Sequence, residues 1–281
     1  MLSAGSPRTN GSLKVTEATW KLIIEMLTDE EIGNLVFRVS LEKSDLEDYD
    51  VAITDLFRVC SSQAEVDVVK HLLGQLHIPT LDQIPAKLTA MAEVARGLLE
   101  GEQRLAIVAM AYDGSADGSQ TVIQLLKPKL GRGKNHKIFN SVPQYLRKGG
   151  IDEFPRFLLV DDFMGSGQTV LNRLKEIESN AKGRRIEVEA NVCLLYGMEE
   201  ALKRVVASGY NINVLNVLRA GLSGHFKEKD LDERLNAMRR LENLLAPNID
   251  GVAMPSMGYN QAEATFCIKD TNAPNSNFPI F

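Results

Sequence analysis

The 281-residue sequence predicts an α/β protein, in which a parallel sheet with helices on both faces follows a mainly helical N-terminal region. From residue 104 onward, short apolar runs alternate with amphipathic stretches, which is the pattern of a parallel sheet with its crossover helices. Before residue 100, apolar residues recur at helical spacing. We therefore divide the chain into a helical region, residues 1–100, and an α/β domain, residues 101–281. Residues 1–12 are rich in Gly, Ser, Pro and Asn and are expected to be disordered.

Helix-start signals support the helical assignment of the N-terminal region. At three places a hydroxyl residue precedes a glutamate by three positions, as in a capping box: Thr28 with Glu31, Ser44 with Glu47, and Ser62 with Glu65. Residues 86–99 form a regular amphipathic pattern, whereas residues 51–59 fit either a helix or a strand.

Four short apolar runs predict the strands of the sheet: residues 105–110, 157–160, 186–196 and 212–218. The first of them, LAIVAM, is nearly continuous, as expected of a strand that is buried on both faces. Helices are predicted after these strands, over residues 120–126, 168–180, 197–208 and 227–245. The tail from residue 260 is loop-like and is expected to be anchored by its aromatic residues.

The composition is that of an ordinary globular protein and disfavours several classes of function. Apolar residues make up 44% and charged residues 25%, and the net charge is −5. A general nucleic-acid binder is disfavoured, because neutralising phosphates needs a basic surface. No apolar stretch approaches the roughly 18 to 20 residues of a membrane span. Cys60, Cys193 and Cys267 form no CxxC pair, so they predict reduced thiols in the cytoplasm.

Two adjacent acids mark the candidate functional site. Asp161 and Asp162 follow the apolar run at residues 157–160. In open parallel sheets, ligands bind outside the carboxyl ends of the strands. Acids at a strand end also cap the next helix, which is the alternative interpretation for an arbitrary pair.

The residues that follow the acids favour ligand binding. Gly165 and Gly167 permit positive φ and a close approach of a ligand to the backbone. Ser166 and Thr169 add hydroxyl groups, and the turn leads into a predicted helix, whose N-terminus favours an anion. Carboxylates that accept hydrogen bonds from hydroxyls, beside a phosphate-binding turn, suit a phosphorylated sugar.

The segment VDDFMGSGQT resembles the phosphoribosyl pyrophosphate (PRPP) motif of type I phosphoribosyltransferases. The resemblance implies the sheet of that family, a ligand that is PRPP or a related ribose 5-phosphate compound or nucleotide, and Mg²⁺ as cofactor. Asp161 and Asp162 would bracket the ribose 2′- and 3′-hydroxyls and help to bind the metal. The 5′-phosphate would lie on the turn made by Met164, Gly165, Ser166, Gly167, Gln168 and Thr169.

The same resemblance assigns roles to two neighbouring segments. One falls where the family binds pyrophosphate: Asp113, Gly114 and Ser115. The basic stretch 131–148 falls where the family has a mobile catalytic hood. Lys134 and Lys137 are its candidates for stabilising a leaving pyrophosphate. Because glycines bracket charged residues there, we expect the stretch to be mobile without ligand.

The C-terminal tail, GYNQAEATFCIKDTNAPNSNFPIF, resembles that of a bacterial phosphoribosyltransferase-like group of conflict and antiviral defence systems, including those beside retrons. This second resemblance implies a toxic effector that acts on a cellular nucleotide. It also implies N-terminal helices that dock a protein partner.

Three functions stay open at this point. The protein could act at the anomeric carbon of its ligand, as a phosphoribosyltransferase does, or only bind and sense that ligand. Some purine-salvage relatives carry an acid at the position of Gly165, and its absence favours sensing. The third function is S-adenosylmethionine-dependent methyl transfer, because DDFMGSGQT also resembles DPFxGSGTT, although Asp162 stands where that family has proline. Tyr112 and Tyr196, near strand ends, fit either base stacking or core packing.

Overall fold

The computed structural model describes residues 26–80, 82–99, 104–112, 117–131, 133, 135–147, 149–246, 248–249, 252–269, 271 and 273–281. Contacts divide the chain into two compact units. The helical unit comprises Met1–Leu76, Gly221–Thr265 and Asn275–Phe281, and the sheet unit comprises His77–Ala220 and Phe266–Pro274. The division therefore differs from the boundary near residue 101 that the sequence predicts.

The described part of the chain contains nine α-helices: α1 (Asp29–Glu42), α2 (Asp50–Arg58), α3 (Gln63–Gln75), α4 (Ile84–Gly97), α5 (Gly118–Leu130), α6 (Val142–Leu146), α7 (Gln168–Arg184), α8 (Glu199–Ala207) and α9 (Glu228–Glu242). Two 3-10 helices are described, Ser44–Tyr49 and Tyr259–Gln261. No described helix combines the length and apolar character that a membrane crossing requires.

Eight strands are described along the same residues: β1 (Leu105–Ala109), β2 (His136–Phe139), β3 (Arg156–Met164), β4 (Glu189–Met198), β5 (Asn211–Val214), β6 (Val217–Leu218), β7 (Asn248–Ile249) and β8 (Val252–Ala253). In the sheet unit the order is β2-β1-β3-β4-β5, with β6 beside the end of β4, and every pairing is parallel. The predicted α/β fold with a parallel sheet is confirmed.

Helices cover both faces of this sheet. On one face, Leu158 of β3 belongs to a buried apolar cluster with Leu88 of α4 and Ile123 of α5. On the other face, the ring of Phe157 lies 5.5 Å from the ring of Tyr145 in α6. Neighbouring residues of a strand point to opposite faces, so the continuous apolar run of β3 supplies both layers.

The basic stretch 131–148 contains a strand, a short helix and buried side chains that the sequence analysis did not predict. β2 pairs with β1 through four residues, from His136 to Phe139. Phe139 and Tyr145 are buried, and the Tyr145 hydroxyl donates a hydrogen bond to the Phe154 carbonyl at 2.8 Å. Side chains of residues 136–147 therefore reach the core, whereas the expectation that the stretch is mobile without ligand stays a prediction. Its few apolar residues are spaced so that they all reach the core.

The predicted helix starts differ in how well they form. Thr28 caps α1, because its hydroxyl accepts a hydrogen bond from the Glu31 amide at 3.2 Å while Glu31 accepts one from the Thr28 amide at 2.8 Å. Ser44 makes no such cap and instead begins a 3-10 helix. The ambiguous residues 51–59 lie mainly in α2 and are helical.

The third predicted start forms half of a capping box. Ser62 accepts a hydrogen bond from the Glu65 amide at 3.4 Å. The Glu65 carboxylate accepts bonds from the Ser61 amide at 2.6 Å and from Arg240 of α9 at 2.7 Å. Because this carboxylate is buried, its ion pair with α9 satisfies a charge that solvent does not reach.

The core of the helical unit joins α3, α9 and the C-terminal tail. Val68 and Leu72 of α3 pack with Met238 of α9 and with Phe278, all of them buried. β7 and β8 form a short antiparallel pair in the same unit. The expectation that aromatic residues anchor the tail is confirmed by Phe278.

Candidate functional site

The two candidate acids lie inside β3 rather than after it. Asp161 pairs with Leu194 of β4, and the pairing continues to Phe163 with Tyr196. β3 is longer than the four residues that the sequence predicts, because its parallel pairing with β4 continues to its last residue, Met164. Asp161 and Asp162 are half-buried, and the Asp162 amide donates a hydrogen bond to Asp161 Oδ1 at 2.9 Å.

The carboxyl group of Asp162 lies against the first residue of α5. A Cβ atom built on Gly118 would be 2.5 Å from the Asp162 carboxyl carbon, so any other residue at this position would force the carboxyl group to move. The contact brings the end of β3 and the start of α5 to the same point at the carboxyl edge of the sheet.

A hydrogen-bonded clasp joins the end of β1 to the start of α5. The Ala111 amide donates to Ser119 Oγ at 3.0 Å, and the Ser119 hydroxyl donates to Asp117 Oδ1. Asp117 also caps α5 by accepting a bond from the Ser119 amide at 2.8 Å. Ser119 is fully buried, so the clasp is shielded from water. Sequence reasoning missed Asp117 and Gly118, although an acid two residues before Ser119 is a helix-start signal.

Three carboxyl groups therefore influence one another at this edge. Burial raises the pKa of Asp161 well above its usual range, and the charges of Asp162 and Asp117 raise it further. Burial also raises the pKa of Asp162, with a further contribution from Asp117. The hydrogen bond between the two side chains favours the protonated form of Asp161 and the ionised form of Asp162.

The donor set suits a cation that brings further ligands with it. Within the described ranges, no group of three or more His, Cys, Asp or Glu residues could hold a metal ion by itself. Mg²⁺ commonly binds through one or two carboxylates together with substrate phosphates and waters. Asp161 and Asp162 fit that mode, since a cation beside them would offset the cost of ionising two close carboxyl groups.

The glycine turn has a left-handed residue at Gly167, one of the two glycines for which the sequence analysis allowed a positive φ. Gly167 is in the left-handed region, with φ 77° and ψ −5°, and it is the N-cap of the 17-residue helix α7. A Cβ atom on Gly167 would lie 3.3 Å from both the Ala201 carbonyl and a Val205 methyl group of α8. Both the backbone angle and the neighbouring helix therefore require glycine.

The remaining residues of the turn are held around the start of α7. The Ser166 carbonyl accepts a hydrogen bond from Arg204 of α8 at 2.8 Å, and Ser166 Oγ accepts one from the Gln168 amide at 3.4 Å. Thr169 is exposed, whereas the Met164 side chain is buried and packs against Gly197. Met164 can therefore offer a ligand only its backbone. Amide groups at such a helix start suit a phosphate.

Comparison with known proteins places the chain in a family. The PRTase-CE family model matches residues 100–281. This chain belongs to the PRTase-CE family. No curated protein matches the PRTase-CE chain.

Several solved structures are distantly similar to this PRTase-CE protein. Orotate phosphoribosyltransferase from Aeropyrum pernix is 15% identical, with 48% of this chain and 71% of that chain covered and a TM-score of 0.34. Orotate phosphoribosyltransferase from Mycobacterium tuberculosis H37Rv, solved with inorganic phosphate, is 13% identical, with 58% and 92% covered and a TM-score of 0.34. The same enzyme solved with PRPP is 14% identical, with 52% and 75% covered and a TM-score of 0.30. The family assignment rests on the family model and not on these similarities.

Arg173 of the PRTase-CE chain was not singled out from the sequence, yet it links α7 to the end of β1. Its Nε donates a hydrogen bond to the Met110 carbonyl at 3.3 Å, and its guanidinium carbon lies 4.3 Å from the centre of the Tyr112 ring. Tyr112 is exposed at this edge, where a planar base could stack on it. Tyr196 is instead buried beside Phe266 at a ring distance of 4.7 Å, which supports core packing.

The structure does not bring Lys137 to the acids. Lys137 of β2 pairs with Ala106 of β1, and Ala106 pairs in turn with Phe157 of β3. Phe157 stands four positions before Asp161, so Lys137 is level with an earlier part of β3 than the acids. Its ammonium group donates to the Gly149 carbonyl at 3.2 Å. This register places Lys137 near the amino end of the sheet, so its catalytic role stays a prediction that the placement does not support. The other hood candidate, Lys134, and the pyrophosphate-loop candidates, Asp113, Gly114 and Ser115, lie outside the described residues.

Proposed function

We propose that this PRTase-CE protein binds PRPP, or a related ribose 5-phosphate compound, with Mg²⁺ at the carboxyl edge of its sheet. One observation carries the proposal: the paired acids of β3 stand directly before a turn in which left-handed Gly167 opens the N-terminus of α7. The arrangement offers hydrogen-bond acceptors and an anion site a few residues apart. A sugar that carries both hydroxyls and a phosphate matches the two.

Each part of the site has a distinct task in this proposal. The first amide groups of α7 donate to the 5′-phosphate, and the helix dipole favours its charge. Asp161 and Asp162 accept hydrogen bonds from the ribose hydroxyls, and Asp161 releases its proton as the ligand complex binds. When bound, Mg²⁺ supplies positive charge to the diphosphate. Displacement at the anomeric carbon then needs mainly positioning and electrostatic stabilisation from the protein.

Two observations favour a ligand sensor as the second candidate function. The turn has Gly165 where some relatives carry an acid. Lys137 lies near the other end of the sheet, where its ammonium group donates a hydrogen bond to the Gly149 carbonyl. In this arrangement neither residue supplies acid–base or leaving-group chemistry at this edge, which favours binding without catalysis. Release of pyrophosphate from PRPP, with or without added nucleobases, separates the two functions, because a sensor would bind PRPP without consuming it.

The biological role extends the same proposal. Resemblance of the C-terminal tail to defence-associated proteins supports a cytoplasmic effector of a bacterial antiphage system, whose activity on a nucleotide would be toxic. Expression of the wild-type chain in bacteria would then arrest growth, and the acids of β3 would be required for that arrest.

The deciding experiment removes the two charges while keeping the shape of the side chains. We expect Asp161→Asn with Asp162→Asn to keep the fold and to lower the affinity for PRPP with Mg²⁺ by at least about tenfold, since charge-assisted hydrogen bonds contribute about 1.5 to 3 kcal/mol each. Calorimetry of both proteins measures the difference. A matched control, Glu93→Gln with Glu187→Gln, removes two exposed carboxylates of the same unit and should bind as the wild type does. Unchanged affinity in the aspartate variant would contradict the proposed site.

A further inference from the structure

An exposed tyrosine follows the end of β1. Tyr112 is 50% exposed, and the guanidinium carbon of Arg173 lies over its ring, 4.3 Å from the ring centre. A guanidinium group at this distance makes a cation–π contact, which covers one face of the ring. The opposite face is left for another planar group.

Arg173 is itself held in place on α7. Its Nε donates a hydrogen bond to the Met110 carbonyl at 3.3 Å, and its Nη1 lies 3.7 Å from the Glu176 carboxylate. The Arg173 side chain is only 22% exposed. The ring of Tyr112 therefore rests on a cation that two other groups already hold, so little further ordering is needed when a ligand binds.

The backbone just before Tyr112 is fixed as well. The Ala111 amide donates a hydrogen bond to Ser119 Oγ of α5 at 3.0 Å, and the Ala111 carbonyl accepts one from the Val142 amide of α6 at 3.0 Å. Tyr112 is thus held through its neighbour in the chain and through its ring.

The register of the sheet places this ring at the edge that carries the acids. The Met110 amide donates a hydrogen bond to the Val160 carbonyl at 3.2 Å, and Ala109 pairs with Val160, so Met110 is level with Asp161 on the neighbouring strand. Tyr112 stands two positions farther along the chain, past the end of β1.

Asp161 and Arg173 also share one face of the sheet. Neighbouring residues of a strand alternate between the faces, so Asp161 points to the same face as Phe157, whose ring contacts α6. Arg184 of α7 donates a hydrogen bond to the Leu146 carbonyl of α6, so α7 covers this face too. The Asp161 carboxyl group and the stacked pair therefore both lie on the side of α7.

We propose that Tyr112, backed by Arg173, stacks on the base of a nucleoside 5′-phosphate whose ribose and phosphate occupy the proposed site. This inference rests on the proposed function and adds a base to the ribose 5-phosphate compound. Arg173 is a positioning residue, because it acts on the ligand through the ring. Its charge also offsets the negative face of the ring, so the open face favours a base over a second cation.

The chemistry of the pair favours a nucleotide over a sugar phosphate alone. Ribose hydroxyls and phosphates need hydrogen-bond partners or positive charge, and the face of a tyrosine ring offers neither. Every nucleobase, in contrast, has a planar face that stacks on an aromatic side chain.

The test compares ligands with and without a base. Calorimetry gives the dissociation constants of AMP, UMP and ribose 5-phosphate, each with Mg²⁺. We expect the wild type to bind at least one of the two nucleotides at least about fivefold more tightly than ribose 5-phosphate, the usual effect of one base–aromatic stack. Tyr112→Leu should abolish this preference and Tyr112→Trp should keep it, while the affinity for ribose 5-phosphate stays unchanged in both.

Two further variants separate the pair from general effects. Tyr210→Leu is the matched control, since Tyr210 directly precedes β5, whose first residue, Asn211, pairs with Asn191 near the start of β4. It should keep the preference for the nucleotide. Arg173→Gln should weaken the preference in the wild type and change nothing further in Tyr112→Leu, because the two residues act as one unit. Equal effects in both backgrounds would contradict a role through the ring.

The outcomes distinguish this inference from the proposed function. If the wild type binds neither PRPP nor any of the three ligands, the proposed function fails and the inference fails with it. If PRPP or ribose 5-phosphate binds but the nucleotides bind no more tightly than ribose 5-phosphate, only the inference fails. It fails in the same way if Tyr112→Leu keeps the preference or weakens all three ligands equally. Thermal unfolding of each variant shows that folded proteins are compared.

Discussion

At the scale of single residues, the contact between Asp162 and Gly118 makes a prediction. Gly118→Ala would place a methyl group 2.5 Å from the Asp162 carboxyl carbon. The carboxyl group is the end of a flexible side chain, so it rotates away and the fold survives. We expect the affinity for PRPP with Mg²⁺ to fall severalfold, as calorimetry would measure.

The control for this change is Gly183→Ala. Gly183 lies in α7, and no atom lies within 4 Å of a Cβ built there. Alanine should stabilise this helix by up to about 1 kcal/mol and leave binding unaltered. If Gly118→Ala binds PRPP as tightly as Gly183→Ala does, the position of Asp162 does not matter for the ligand.

The raised pKa of Asp161 predicts how stability depends on pH in the absence of ligand. An unfolded aspartate titrates at about 3.9, whereas folded Asp161 keeps its proton to higher pH. Between these two values the folded state binds more protons than the unfolded state, so the free energy of unfolding falls as pH rises through the window. Asp161→Asn should lack this loss and gain relative stability above pH of about 4. Urea denaturation of both proteins across pH checks the prediction, and parallel pH profiles would refute it.

The sequence revealed the residues of the site that are local to one motif and missed those contributed across space. Asp161, Asp162 and Gly167 stand within seven consecutive positions, so their spacing alone indicated an anion site beside two acids. Asp117 and Gly118 join them only because parallel strands end at one edge of the sheet, and Arg173, six positions after Gly167, was missed because its partner, Met110, lies at the end of another strand. No local pattern connects residues that are more than 40 positions apart.

At the scale of elements, the start of α7 depends on two separate demands at Gly167. Gly167→Ala meets a positive φ and also crowds Ala201 and Val205 of α8. We expect it to lower the free energy of unfolding by more than about 1 kcal/mol, the usual order of cost for a non-glycine residue in this conformation. Phosphate binding should weaken too, because the turn must move. Denaturant unfolding and phosphate titration measure the two effects.

A substitution at Gly209 separates the cost of the positive φ from the cost of crowding a neighbouring helix. The φ of Gly209 is 87°, but no atom lies within 4 Å of a Cβ built there. Gly209→Ala should therefore show only the backbone cost and should bind phosphate normally. Equal losses of phosphate affinity in the two variants would mean that general destabilisation, and not the shape of the turn, weakens binding.

Elements with a strong apolar pattern were predicted well, and those without one were not. β1 was recognisable in the sequence because all five of its residues are apolar, and the structure buries all five. β2 is an edge strand of four residues in which only Phe139 is buried, so its basic neighbours resembled a loop. Edge strands carry fewer core contacts, which leaves little signal in their sequence.

At the scale of the whole molecule, each unit is assembled from segments that are distant in the chain. The segment Phe266–Pro274 returns to the sheet unit after more than 40 residues in the helical unit. The Phe266 ring stacks on Phe163 at 4.5 Å, and the Cys267 amide donates to the His77 carbonyl at 3.1 Å. A boundary drawn from composition along the chain could not show this return.

The return predicts an unusual sensitivity near the C-terminus. Phe266 is buried in the core of the sheet unit, so Phe266→Ala should destabilise that unit by about 3 to 5 kcal/mol. Leu125→Ala, at an exposed position of α5, should change stability by less than about 1 kcal/mol. Denaturant unfolding compares the two, and a similar small loss in both would show that the tail segment is dispensable for the core.

The clasp of Ala111, Ser119 and Asp117 has an evolutionary consequence. It holds the end of β1 and the start of α5 together, so a change in the length of the insert between them need not move either element. Doubling the length of such an insert costs only about 0.6 kcal/mol of closure entropy. Relatives could thus carry inserts of other lengths while the strand and the Asp162 carboxyl group stay fixed. Ser119 makes both hydrogen bonds of the clasp. Without it, a change in the length of the insert would shift the start of α5, and with it Gly118 beside the Asp162 carboxyl group.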